Sequence, residues 1–141
     1  MRFLVKAIDA TAGATGCLVL PIYANGPLPT ATKAVDRATK GLISGLKTRG
    51  DITADPGEIT ILPNLPGAAA DRAMLVGLGT REKLDRRTFR RAVRSACGAL
   101  AKLPVNSAVE FLTSEPVRLA NAYRRVRVLV ETWHDVAYRF N

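Results

Sequence analysis

The residues able to do chemistry are few: the Gly-x-Gly of "VGLGT", one histidine in "TWHDV", two cysteines, and the arginines of "TREKLDRRTFRRAVR". Gly77 and Gly79 follow an apolar run, as a phosphate-binding turn requires, but Glu82 stands where the dinucleotide fingerprint has its third glycine. A carboxylate there repels a pyrophosphate rather than cradling it. The glycines are therefore expected to give a tight exit from a strand. His134 has no His-x-x-x-His or Cys-x-x-Cys companion, whereas a catalytic zinc site draws on three protein ligands. No serine sits in a Gly-x-Ser-x-Gly elbow, and neither Cys17 nor Cys97 shows a partner base. Both thiols lie in apolar segments and are expected to be buried and reduced. The twelve carboxylates are scattered through charged, solvated segments. No self-contained active site is expected, and no metal or cofactor in this chain.

The arginines are the concentrated feature. Arg81, Lys83, Arg86, Arg87, Arg90, Arg91 and Arg94 face only Glu82 and Asp85. At about 100° per residue, Arg86, Arg87, Arg90, Arg91 and Arg94 share one broad helical face. Repeated arginines without intervening acids gain no intrahelical pairing and repel one another mildly. The stretch reads either as a solvated face or as a nucleic-acid surface made of all seven basic residues. No aromatic is interleaved on the arginine face, so base stacking has no support there.

These residues need a scaffold, and hydrophobic periodicity supplies one. Strands are expected near Phe3–Ile8, Cys17–Tyr23, Ile59–Pro63, Met74–Gly77 and Ala108–Leu112. The connection "LPGAAAD" is short enough for an antiparallel pair, since a parallel crossover needs a dozen residues or more. One helix is expected from Ala31 to Leu46, with Thr30 as N-cap and Gly50 as the stop signal. A second follows Asp85 and buries Phe89, Val93, Ala96, Leu100 and Leu103, closed by Pro104. Pro116 suits the first turn of a last helix. That helix carries a stripe of Leu119, Tyr123, Val126, Val130, Trp133 and Ala137, with Tyr123, Val126, Val130 and Trp133 expected to dock it. Interleaved helices and strands imply a mixed sheet with helices on both faces.

At 141 residues the chain is expected to be one domain. A net charge of +9 favours polyanionic or acidic partners without fixing the fold. Lys6 and Asp9 interrupt the N-terminal apolar run, so no signal peptide is expected. The uncharged stretch between Asp9 and Lys33 is broken by Pro21, Pro27, Pro29 and several glycines, which excludes a spanning helix. No membrane partner is expected, and the location is expected to be cytoplasmic.

Taken in order, "CLVLPIYANGPL", "ILPNLPGAAADRAMLVGLG", "FRRAVRSA" and the closing "YRFN" resemble the N-terminal domain of the cytosol (leucyl) aminopeptidases. The likeness runs from about Phe3 to Asn141. It implies an α/β fold, a macro-domain-like three-layer α/β/α sandwich with a mixed β-sheet. It also implies that residues 1–141 are a non-catalytic N-terminal domain, followed by a C-terminal catalytic domain. That domain holds two divalent metal ions, manganese or zinc, and removes N-terminal residues from peptides. "YRFN" then marks a domain boundary. The family implies a cytoplasmic homo-hexamer, with this domain's first partner being its own catalytic domain. The family's metal ligands and its Asn-Thr-Asp-Ala-Glu-Gly-Arg-Leu signature have no match here, so no catalytic or metal residue is carried over. The implied function is an accessory domain of a metal-dependent leucyl aminopeptidase, with this chain alone inactive. The alternative is a DNA-binding module using the basic helix Arg86–Arg94. An ADP-ribose-binding macro domain is a third reading, from fold alone, and its glycine-rich ligand loops have no counterpart in this sequence.

Overall fold

A computed structural model describes residues 2–4 and 15–140. Five strands and four helices alternate along it: β1 (Arg2–Leu4), β2 (Cys17–Ile22), α1 (Thr30–Ala38), α2 (Leu42–Thr48), β3 (Ile59–Leu62), β4 (Ala73–Gly77), α3 (Arg86–Ala101), β5 (Ser107–Glu110) and α4 (Ala122–Phe140). The strands form one mixed sheet in the order β1-β5-β2-β4-β3. β1, β5, β2 and β4 pair in parallel, and β3 closes the edge antiparallel to β4, with Ile61 opposite Met74. The short connection from β3 to β4 therefore makes the expected hairpin. Of the expected first strand, Arg2–Leu4 is seen, while Val5–Ile8 lie outside the described residues.

β2 shows why the architecture has three layers. Its six residues are all buried, and their side chains alternate between two cores. Cys17, Val19 and Tyr23 pack toward α3 and α4 with Met74 and Val76 of β4. Leu18, Leu20 and Ile22 pack toward α1 and α2 with Val35, Ile43 and Leu75. α1 is tied to β2 by the Thr32 hydroxyl, which donates to the Pro21 carbonyl at 2.6 Å.

α3 fits its sequence expectation closely. Asp85 caps it, accepting from the Thr88 N–H at 2.9 Å. Phe89, Val93, Ala96 and Leu100 are buried as expected, joined by Ala92 and Cys97, with Leu103 half-buried.

Three expectations are corrected. The helix expected over Ala31–Leu46 is two helices, because Lys40 (φ 58°) and Gly41 (φ 84°) turn left-handed and the Gly41 N–H donates to the Asp36 carbonyl. Asp36 then caps the second piece through the Ser44 N–H at 2.8 Å. Thr30 is the first helical residue, with Pro29 at the N-cap. Second, Pro116 does not open a helix. Residues 117–120 form a strap held by Arg118 N–H to the Leu84 carbonyl (3.0 Å), and α4 starts at Ala122 with the Asn121 side chain accepting from Arg124 N–H (2.9 Å). Third, α4 docks through Leu129 and Val136, with Val128 and Trp133 at the sides. Tyr123 is 74% exposed, Val130 44% and Leu119 78%. Successive residues differ by about 100° on a helix, so choosing Val130 over Leu129 turns the whole element by that angle.

Candidate functional site

The Gly-x-Gly turn ends β4 against a loop crossing its end. Gly77 N–H donates to the Glu58 carbonyl, the Gly77 carbonyl accepts from Gly57 N–H, and Gly79 N–H donates to the Ala54 carbonyl. A Cβ on Gly77 would run into the Asp55 carbonyl oxygen, and one on Gly79 would meet the Pro56 ring. The two glycines thus admit a neighbouring backbone, and the strand-exit reading holds.

In open α/β sheets, ligands bind in the crevice beyond the carboxyl ends of the strands. Here side chains of the protein occupy part of that region. The Arg81 guanidinium lies over the Tyr23 ring, 4.1 Å from its centroid. Tyr23 OH donates to Glu115 Oε1 at 2.8 Å, and Arg81 Nη1 stands 3.9 Å from the same oxygen. Arg81 also donates to the Pro27 carbonyl through Nη2, while its backbone N–H donates to Asn25 Oδ1 at 2.9 Å. Burial, and then the Glu115 carboxylate, push the Tyr23 phenol above its ordinary range. Asn25 closes the loop onto Glu82 (2.9 Å to Oε2), which holds that exposed carboxyl below its usual range. Arg81 is therefore spent on an internal network joining three strand-end loops.

The remaining basic residues are exposed. Lys83 sits on a short 3-10 turn, Arg81–Lys83, before α3. Arg86, Arg87, Arg90 and Arg94 border a groove whose opposite wall is α4, with its own Arg124, Arg125 and Arg127. The stem of Arg91 lies instead beside Gly57, away from the groove. Three adjoining cavities of about 340, 330 and 320 Å³ run along the groove, and Arg90 lines all three. The first is walled by Arg86, Arg87, Arg90, Arg124 and Arg125 over a floor of Phe89, Ala120 and Val128. The third holds Glu131 and Asp135 as well. The arginines of α4 were visible in "YRRVRV", but their position depends on the rotation of α4, which sequence periodicity set wrongly.

His134 is exposed on α4. Among the described residues, no group of three His, Cys, Asp or Glu side chains could hold a metal ion. Both thiols are free and buried. Burial pushes Cys17 up to about 11, against a smaller opposing effect of Arg72, and Cys97 up to about 12. Glu110 is a buried carboxyl missed in the sequence. It accepts from the Thr113 hydroxyl (2.6 Å) and N–H (3.0 Å), yet burial still raises its pKa. No described helix is long and apolar enough to cross a membrane.

The layer order and strand order define a macrodomain-like α/β/α domain. In agreement, the macrodomain of Mycobacterium tuberculosis DarG superimposes with a TM-score of 0.70 at 10% identity, over 96% of this chain and 91% of that one. The bottromycin maturation enzyme BotP matches with a TM-score of 0.58 at 19% identity, over 84% of this chain and 22% of its own. The sequence then gives the family: residues 19–141 match the N-terminal domain of the cytosol aminopeptidase family, to which the chain belongs. It is 36% identical to a probable cytosol aminopeptidase of Chromohalobacter salexigens and 35% identical to one of Halorhodospira halophila. Each alignment covers all of this chain and 28% of the relative's length.

Proposed function

We propose that this chain is the accessory N-terminal domain of a metal-dependent leucyl aminopeptidase. The peptide chemistry, the two divalent ions (manganese or zinc) and the substrate contacts belong to a C-terminal part of the kind its relatives carry. The observation that carries this reading is the family match over residues 19–141 in a chain spanning 28% of its relatives' length. The domain's first partner is that C-terminal part, and the assembled protein is a cytoplasmic homo-hexamer. The experiment is hydrolysis of a leucine arylamide by the protein carrying both parts, before chelation, after it, and after manganese or zinc is restored. Activity lost and then recovered is expected. Turnover indifferent to chelation contradicts the metal-dependent reading, and no turnover at all contradicts the enzyme.

A second reading, sequence-tolerant contact with duplex DNA, is favoured by one observation: basic side chains of α3 and α4 share one surface. Four or five neutralised phosphates give a log–log salt slope of roughly −4. Such contacts position the phosphate backbone without reading bases. Replacing Arg87, Arg90 and Arg94 together by Glu leaves the apolar face of α3 untouched and is expected to abolish binding of a labelled duplex at moderate salt. Equal affinity and slope in variant and wild type make these arginines a solvated face only.

A further inference from the structure

α3 and α4 run side by side in the same direction. Arg86 and Arg90 face Arg124 and Val128 at one end of the groove, and Arg94 reaches Asp135 (3.5 Å) at the other. Both helix N-termini, the positive ends of their dipoles, therefore lie at the end with the 340 Å³ cavity. Five guanidiniums wall that cavity, and among the described residues no carboxylate lines it. The nearest acid in sequence, Asp85, accepts the Thr88 N–H through Oδ1, and hydrogen bonding from Thr88, with a smaller contribution from Arg87, holds its carboxyl below the usual range. The groove's own acids stand toward the far end, where Glu131 pairs with Arg127 (2.8 Å) and Asp135 with Arg94.

Arg125 differs from the other four. Its Nε donates to the Thr113 carbonyl and its Nη1 to the Ala120 carbonyl, both at 2.9 Å. These acceptors are neutral, so they fix the guanidinium in place without cancelling its charge. A fixed cation loses little freedom when an anion arrives. Guanidinium forks match phosphate oxygens in geometry as well as charge. The volume lies within the range of small-molecule sites, and Phe89, Ala120 and Val128 give it the apolar floor such sites commonly have.

We propose that this cavity binds a short chain of phosphates, with Arg86, Arg90 and Arg124 closing on it and Arg125 as the fixed anchor. A recessed site of this size suits a compact polyanion better than one face of a duplex. The chain can come from inorganic polyphosphate or from a nucleoside triphosphate, whose uncharged part would lie on the apolar floor. The proposal stands apart from the peptidase reading, because it concerns this chain alone.

The test is calorimetry of the 141-residue chain at 150 mM salt (roughly physiological ionic strength) with inorganic tripolyphosphate, ATP and orthophosphate. One-site binding of tripolyphosphate, about tenfold or more tighter than orthophosphate, is expected. ATP tighter than tripolyphosphate identifies a nucleotide as the source, and equal affinities identify the phosphate chain alone. Arg86→Gln and Arg124→Gln should each weaken tripolyphosphate about tenfold or more while the circular dichroism spectrum stays unchanged. Arg49→Gln, which alters an exposed pair with Asp51 beyond α2, should change nothing. No saturable binding of any phosphate compound overturns the proposal, as does binding that survives both cavity variants or falls equally with Arg49→Gln. Duplex binding that depends on Arg86 and Arg124, with none of tripolyphosphate, overturns it in favour of a nucleic-acid surface.

Discussion

Leu129→Ala and Val130→Ala probe neighbouring residues of one helix whose environments differ sharply. Leu129 is 2% exposed against α3, whereas Val130 is 44% exposed. Truncating a buried leucine removes its transfer free energy and leaves a cavity, at a cost of about 2–5 kcal/mol. Val130→Ala removes two carbons worth about 0.8 kcal/mol each when fully buried. With nearly half the side chain in water, the loss falls below about 1 kcal/mol, and alanine's better helix propensity offsets part of it. At about 4 °C per kcal/mol for a domain of this size, Leu129→Ala lowers Tm by roughly 8–20 °C and Val130→Ala by less than about 4 °C. Thermal unfolding followed by circular dichroism, with urea titration as a second axis, reads both variants. A larger loss for Val130→Ala would mean that α4 is turned by about 100°, and the wall of Arg124 and Arg125 would move with it. The arginine groove therefore stands or falls with this comparison.

Other outcomes follow from single contacts. Glu110 titrates above the ordinary carboxyl range in the folded chain, so the folded state holds its proton longer than the unfolded one and stability falls as pH rises from about 4.5 through the folded pKa. Glu110→Gln should flatten that decline in urea titrations across pH, and an unchanged pH profile would refute the assignment. Cys17 and Cys97, buried with thiol pKa values pushed up to about 11 and 12, should react with a disulfide reagent at pH 8 only once denaturant is added. Rapid labelling of the native chain would contradict that burial. Gly77→Ala forces a Cβ into the Asp55 carbonyl and should destabilise the chain by more than about 2 kcal/mol, checked by urea titration. A near-neutral Gly77→Ala would show that the loop over β4 yields freely.

Where one local signal governed an element, the sequence was sufficient. The interleaving of helices and strands implied helices on both faces, and the short connection from β3 to β4 implied their antiparallel pairing. Asp85 and the spacing of Phe89, Val93, Ala96 and Leu100 defined α3 and the outward direction of its arginines. The failures came where two signals competed. The α1–α2 segment keeps helical periodicity through Lys40–Gly41, although two left-handed residues break it there. α4 carries two apolar stripes, one with Val126 and Val130 and another with Leu129 and Val136. Only contact with α3 decides between them. The same choice places Arg124 and Arg125 opposite Arg86 and Arg90, so half the groove was legible and half was not. Arg81 looked like its basic neighbours, and only the fold brings Tyr23 and Glu115 to it.

The most direct test of the central claim, that this chain is a non-catalytic aminopeptidase domain, is a paired measurement on the 141-residue chain by itself. Zinc and manganese are titrated into it by calorimetry, and leucine arylamide hydrolysis is followed with each metal present. Neither stoichiometric binding nor turnover is expected, since the chain holds one histidine and catalytic zinc draws on three protein ligands. A tight isotherm with metal-dependent turnover, both lost on His134→Ala, would contradict the account.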